Sequence, residues 1–399
     1  MNKLIEKHHK KLSSISLDFI RGIMDEIHWN ARLIGIKGAR GVGKTTLLLQ
    51  YLKQHFTDST EALYVNLDDI WFSHNRLVDL ADNFVKRGGT HLFLDEVHKY
   101  TDWSQEVKNI YDDYPELHIV FTGSSLLEIL DARADLSRRA VVYHMQGLSF
   151  REFLNFNLNT EFRVFKLEEI QHNHIQLSNE ILKTIKPLKY FDTYLQEGYY
   201  PFFKEVPELY HARLEEILNM IIYIELPLLR HVDIHFATKL KQLLMVISES
   251  APFIPNIKKI SEKIGINRNT LISYLHYLEE CGIILNLYRS NKGISRMQKP
   301  DKIFLENTNI AYTVNTAVPD VGNLRETFFF NQLKFQHNLT FPVEVDFMVD
   351  DTWFFEIGDK NKKQDQVIKL PREKTFLAVD NIEYGHKNQI PLWMFGFLY

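Results

Sequence analysis

The sequence holds one cysteine, Cys281, in 399 residues. A single thiol can form no intrachain disulfide and no Cys-rich zinc site, so packing must hold the fold together. No apolar run reaches the about 20 residues that a membrane-spanning helix needs. The most apolar stretch, Ile217 to Leu229, is interrupted by Asn219, Glu225 and Pro227, and reads as a buried helix. The opening MNKLIEKHHKKL has no apolar centre or small-residue cleavage site, so it does not read as a secretory signal. Together these absences point to a soluble, cytoplasmic chain with no membrane partner. Net charge is small, −4, so any contact with nucleic acid must come from a local basic patch. There is no internal repeat and no low-complexity tract. The composition is 45% hydrophobic and 25% charged, the balance of ordinary globular domains. At about 150 residues per domain, the length calls for two or three of them.

Along the first 150 residues, short apolar runs alternate with helical patterns. The runs are Leu33–Lys37, Ala62–Leu67, His91–Asp95, His118–Thr122 and Ala140–Met145, with helices expected over Lys44–His55 and Ser104–Tyr114. That alternation predicts an α/β fold, a doubly wound parallel sheet with ligand sites at the carboxyl ends of its strands. From Ser149 to about Arg230 the pattern turns helical, opening on a capping-box arrangement of Ser149 and Glu152 and broken at Gly198-Tyr199-Tyr200-Pro201. This stretch reads as a helical lid. Helix Leu240–Glu249, a short helix Ile257–Ile264, a turn at Gly265, helix Asn267–Cys281 and a strand Ile283–Tyr288 follow, the order of a winged helix-turn-helix. The last 80 or so residues alternate strand-like runs, Val343–Val349, Trp353–Ile357, Thr375–Val379 and Leu392–Phe397, as a small α/β end domain would. The expected boundaries are 1–150, 151–232, 233–320 and 321–399.

The sharpest motif follows the first strand: Gly38-Ala39-Arg40-Gly41-Val42-Gly43-Lys44-Thr45, then Thr46 in the opening helix. A loop that aims its N–H groups at phosphate oxygens needs glycines where side chains would obstruct, and the helix N-terminus adds its dipole. Lys44 is expected on the β- and γ-phosphates of ATP, and Thr45 on Mg²⁺. About fifty residues on, an apolar strand ends in Asp95-Glu96. Asp95 is placed to hold the metal and Glu96 to act as general base on an attacking water. Thr122, at the end of the next strand, would orient that water or sense the γ-phosphate, or cap the helix expected over Leu126–Asp131. An arginine of Ser137-Arg138-Arg139-Ala140 is either a transition-state arginine, in cis or in a neighbouring subunit of a homo-oligomer, or one of a solvated pair of cations.

These residues resemble the bacterial and archaeal AAA+ ATPases that carry a winged helix and a nuclease-like end domain. The matching run is the P-loop, LDEVH, FTGSS, SRRA, LSFREFL, the EGYYP turn, the winged helix and the acidic strand motifs near the end. The resemblance makes Arg139 rather than Arg138 the arginine-finger candidate. It also implies a restriction-endonuclease-like order of Glu326, Asp346 and Glu356, with a lysine two residues after the last acid. Here that position is Gly358, which argues for a module that binds without cutting; Lys360 or Lys362 could stand in.

Ile254 to Pro300 carries eight Lys/Arg against three Glu, a local excess of five that suits DNA phosphates. Asn267, Arg268, Asn269 and Thr270 open the expected recognition helix. Winged helices also serve as packing modules, so three readings compete. The first is a DNA-associated ATPase, the second a nucleotide-gated switch that binds a protein partner, and the third a nuclease.

Overall fold

The five apolar runs of the first 150 residues become five parallel strands: β1 (Leu33–Lys37), β2 (Ala62–Asn66), β3 (His91–Asp95), β4 (His118–Gly123) and β5 (Val141–His144). Their order is β2-β3-β4-β1-β5, with every neighbouring pair parallel, so the expected α/β architecture is borne out. The three inner strands β3, β4 and β1 are Leu, Ile, Val and Phe on both faces because helices cover both faces. A computed structural model describes residues 1–56, 60–124, 136, 138–230, 232–249, 254–289, 299–315, 318–360 and 370–399. They form two compact units, Met1–Gly147 and Leu148–Tyr399. The expected helix Leu126–Asp131, together with Lys292, Arg296 and Lys362, lies outside the described residues.

Helices α1 (Asn2–Ser14), α2 (Ile23–Glu26), α3 (Lys44–His55), α4 (Leu77–Val85) and α5 (Trp103–Asp113) complete the first unit. Strand β2 is a sheet edge, whose outward N–H groups need partners. Helix α1 supplies one: the Nδ1 of His8, a buried side chain, accepts a hydrogen bond from the Tyr64 N–H at 3.0 Å. Only an unprotonated Nδ1 can accept.

Burial, and then the neighbouring His9, push the His8 pKa down to about 4. Burial and the stacked His118 push His91 down to about 4 as well. Protons that an unfolded chain takes up near pH 6.5 are therefore refused by the fold. Stability is full above about pH 6.5 and is lost as pH falls from there towards 4, by about 1.4 kcal/mol per pH unit for each histidine engaged. Urea midpoints at pH 7.5 and pH 5 should fall together with pH, and the slope should flatten in His8→Gln. Equal midpoints at the two pH values would contradict this reading.

The second unit begins with α6 (Phe150–Leu158), α7 (Leu167–Leu182), α8 (Leu188–Glu197) and α9 (Tyr210–Met220). The Ser149–Glu152 capping box forms at the start of α6. Helix α9 runs through a π-helical turn, Ile221–Glu225, into α10 (Leu226–Arg230). Then come α11 (Ile234–Glu249), α12 (Ile257–Ile264), α13 (Arg268–Glu280) and an antiparallel pair, β6 (Ile284–Leu287) with β7 (Lys302–Leu305). Two more helices, α14 (Thr308–Val314) and α15 (Val321–Leu333), lead to a second sheet. Its strands are β8 (Leu339–Thr340), β9 (Phe347–Val349), β10 (Trp353–Gly358), β11 (Thr375–Val379) and β12 (Gln389–Pro391), in the order β12-β11-β10-β9-β8. Among the described residues no helix is long and apolar enough to cross a membrane.

The Tyr199-Tyr200 break has a structural cause. Asn309 Nδ2 donates to the carbonyls of Tyr194 and Leu195 at 3.0 and 2.8 Å, while its Oδ1 accepts from the Tyr199 N–H at 2.8 Å. That one amide ties the last turn of α8 to the backbone that follows it, the Tyr194 carbonyl also accepting from the Gly198 N–H at 2.9 Å. The helices expected as a lid share their aromatic core with the chain's last elements: Phe165 stacks on Phe397 and Phe191 meets Phe328 edge-on. Two expectations for the end domain need correction. Leu392–Phe397 is a 3₁₀ helix, with the last strand lying just before it, and only Phe347–Val349 of the run from Val343 is strand. Leu392–Phe397 is buried throughout, and an apolar run covered on all sides carries no period to tell strand from helix.

Candidate functional site

Strand β1 delivers Gly38 to the carboxyl edge of the first sheet. A Cβ on Gly38 would stand 2.3 Å from the carbonyl oxygen of Met145, so a side chain there would collide with backbone. Gly43 has φ of 100°, a left-handed conformation that favours glycine, and caps the N-terminus of α3. The loop thus turns sharply into a helix start, whose open N–H groups suit an anion. Lys44 is buried and its ammonium donates to the carbonyls of Gly38 and Ala39 at 2.8 and 2.9 Å. Arg21 braces the loop from behind, donating to the carbonyls of Val42 (2.8 Å), Gln146 (2.9 Å) and Gly147 (2.8 Å). Gly41 and Thr46 are exposed, Arg40 is half-buried and Val42 is packed inside.

Asp95 ends β3 between β2 and β4, and the strand order brings three hydroxyls to it. Thr45 Oγ1 and Tyr64 OH each donate to Oδ2 at 2.7 Å, and Thr122 Oγ1 donates to Oδ1. Asp95 is 1% exposed. Burial first, and then the adjacent Asp95 charge, hold the Tyr64 hydroxyl well above its ordinary pKa, so it stays a donor. The chain turns at Glu96 with φ of 54°, a left-handed backbone rare outside glycine. That turn aims the carboxylate at Ser124, whose hydroxyl donates to it at 2.9 Å, while the Glu96 N–H donates to Thr122 Oγ1 at 3.3 Å.

His98 closes the group, with Nδ1 3.4 Å from Glu96 and Nε2 3.4 Å from Ser124. Burial, then the charges of Arg40, Lys99 and Lys44, push its pKa down to about 3. The ring is therefore neutral at physiological pH, and its approach to Glu96 is a contact with a neutral imidazole, not an ion pair. Tyr64, Arg21 and the Ser124–His98 contact with Glu96 are parts of this site that sequence reasoning missed.

The structure does not bring Arg139 to this group. Val141 pairs with Ile34 at the start of β1, which puts Arg139 beyond the amino edge of the sheet, opposite the loop. There it makes a two-pronged pair with Asp112, Nε to Oδ1 at 2.9 Å and Nη2 to Oδ2 at 2.8 Å.

A hard divalent cation fits beside Thr45 and Asp95, a hydroxyl and a carboxylate 2.7 Å apart with a helix N-terminus behind them. Among the described residues no set of three or more His, Cys, Asp or Glu is arranged to hold a metal. A cation at Thr45 and Asp95 would take its other ligands from phosphate and water, as Mg²⁺ does in phosphate sites.

In the second unit, Lys258, Arg268 and Lys299 gather at an open cleft of about 430 Å³, with no acid among the described residues that line it. Asn267 is used as the N-cap of α13, accepting from the Thr270 N–H at 2.9 Å, and Arg289 pairs with Asp301 at 3.2 Å. Glu326 and Asp346 come together at a lysine from another element, and Glu356 accepts from the Asp346 N–H. Lys302, on β7, stands 3.2 Å from Glu326 and 3.4 Å from Asp346.

Residues 30–154 match a family described as an AAA domain, and residues 188–320 match a family described as a domain of unknown function. No curated protein matches the chain. Solved structures similar to it include a Walker-type ATPase of Pyrococcus abyssi (13% identity, TM-score 0.42), covering 77% of this chain and 95% of that one. Others are the ORC1 protein of Aeropyrum pernix in complex with DNA (15% identity, 76% and 90% covered, TM-score 0.31) and AMPPCP-bound DnaA from Aquifex aeolicus (15% identity, 65% and 84% covered, TM-score 0.26). The parallel sheet and the glycine loop both fall within the stretch 30–154 that matches the AAA-domain family.

Proposed function

We propose that the first unit binds ATP with Mg²⁺ and hydrolyses it, and that the second unit turns this cycle into an action on DNA. One observation carries the first half: Asp95 meets Thr45 on one side and Thr122 on the other, with Glu96 held next to it by Ser124. The loop N–H groups and Lys44 bind the phosphates, the ammonium exchanging its loop carbonyls for phosphate oxygens. Thr45 and Asp95 would hold the Mg²⁺, which supplies charge neutralisation at the phosphates when bound. Glu96 takes the proton of the attacking water, and Thr122 holds Asp95 and the Glu96 backbone in register. Arg139 could serve only a neighbouring subunit's site, in a homo-oligomer.

For the second half, residues 151–232 are read as a helical lid, 233–320 as a winged helix and 321–399 as a nuclease-like end module. Support comes from the order of α11 to α13 with the β6–β7 pair, and from the three cations around one cleft. Lys258, Arg268 and Lys299 suit consecutive phosphates of a duplex. Turnover in the first unit would then move the winged helix on its DNA, in a cytoplasmic setting.

The test is ATP hydrolysis with and without duplex DNA across a salt series. Stimulation that falls with salt, and falls further in Arg268→Ala, is expected. Rates identical with and without DNA would overturn the DNA half and favour a nucleotide-gated switch that binds a protein. That second reading has an observation of its own: Asn267 and Arg289 are already committed within the protein.

A further inference from the structure

The buried ammonium of Lys302 lies inside an acidic set that the proposed ATP mechanism does not use. Lys302 is 5% exposed and comes from β7, opposite Leu287 in the hairpin register. Its Nζ lies 3.2 Å from Glu326 on α15, 3.4 Å from Asp346 just before β9, and 4.8 Å over the Phe341 ring. The remaining acid is tied to the same group through backbone: Asp346 N–H donates to Glu356 Oε2 at 3.2 Å, and Ile357 N–H donates to Asp346 Oδ2 at 2.9 Å. The carboxylates are thus turned towards donors of the protein itself.

We infer that Lys302 occupies the cation position of the Glu326–Asp346–Glu356 set, making it a lysine-closed latch between the β6–β7 hairpin and the end sheet, not a metal centre. A divalent ion needs oxygens at about 2.0–2.6 Å converging on one point, and an ammonium between two of the carboxylates would repel it. Consistent with this, the described residues contain no metal-capable group of three or more acids, histidines or cysteines. A lysine that assists phosphodiester cleavage must face the substrate, whereas this one is buried between two carboxylates and an aromatic ring. The missing lysine after Glu356 is therefore no gap that Lys360 fills: the set already has its cation, and the end module does not cut. Hydrolysis in the first unit neither supports nor weakens this inference.

The test uses the full chain without nucleotide. Wild type and Asp346→Asn should take up the same amount of Mn²⁺, with neither nicking supercoiled DNA. Lys302→Met should lower the thermal midpoint by roughly 5–15 °C, because it strands the buried carboxylate of Glu326 and the half-buried one of Asp346. The variant should also gain one Mn²⁺ per chain and recover part of the lost midpoint with it. An Mn²⁺ bound by wild type and lost in Asp346→Asn, or nicking that Asp346→Asn abolishes, would overturn the inference. So would a folded Lys302→Met chain with an unchanged midpoint or no added Mn²⁺. Should Lys302→Met not fold, the comparison of wild type with Asp346→Asn still decides.

Discussion

Glu96→Gln is expected to leave ATP binding near the wild-type level and to cut turnover by a factor of about 10² to 10⁴, the usual worth of a positioned general base. The amide keeps the size of the carboxylate and can still accept from Ser124, so the left-handed turn at Glu96 and the hydrogen bond at 2.9 Å should survive. What is lost is the capacity to take a proton. Nucleotide occupancy by equilibrium binding and phosphate release, measured on the same preparation, separate the two effects. A variant that hydrolyses ATP at the wild-type rate would remove Glu96 from the mechanism. His98 is a poor substitute base: burial, and then the charges of Arg40, Lys99 and Lys44, hold its pKa down to about 3, so its neutral ring has little affinity for a proton.

The second large effect is on stability. Buried Glu306 and half-buried Lys334 form an ion pair in the second unit, and the Glu306 backbone carbonyl also accepts from Asn331 at 2.7 Å. Burial pushes the Glu306 carboxyl up and the Lys334 ammonium down, and each partner's charge pulls the other back. Removing one charge leaves the other without its partner in the interior. Lys334→Met should therefore cost about 3–5 kcal/mol, whereas the double change Lys334→Met with Glu306→Gln should recover most of that. Denaturant midpoints of the single and double variants check this, and a double variant no better than the single one would contradict it. The loss belongs to packing, so the nucleotide chemistry of any folded fraction should be unchanged.

The glycine loop could be read from the sequence because its requirements are local. Gly38, Gly43, Lys44 and Thr45 must follow one another between a strand and a helix, whatever the rest of the chain does. Asp95-Glu96 was legible for a similar reason, as acids ending an apolar strand. Tyr64 was not, since its contact with Asp95 exists only because β2 lies beside β3 in the sheet order. The Ser124 contact depends on the left-handed turn at Glu96, which no residue pattern announces. Arg139 read as a site residue because its position along the chain does not reveal which edge of the sheet it occupies; the pairing of Val141 with Ile34 decides that. Lys302 was hidden for the same reason as Tyr64. A search for lysine two residues beyond Glu356 looks along one strand, whereas the ammonium arrives from a hairpin earlier in the chain.

The central claim is that the loop Gly38–Thr45 and the pair Asp95-Glu96 act together on ATP. Phosphate release from Mg²⁺-ATP by the wild-type chain, measured beside Lys44→Ala, tests it most directly. Sustained release by wild type and a loss of at least about 100-fold in Lys44→Ala are expected, because the variant lacks the ammonium that reaches the loop carbonyls of Gly38 and Ala39. Equal release by the two proteins, or none from folded wild type with or without DNA, would contradict it.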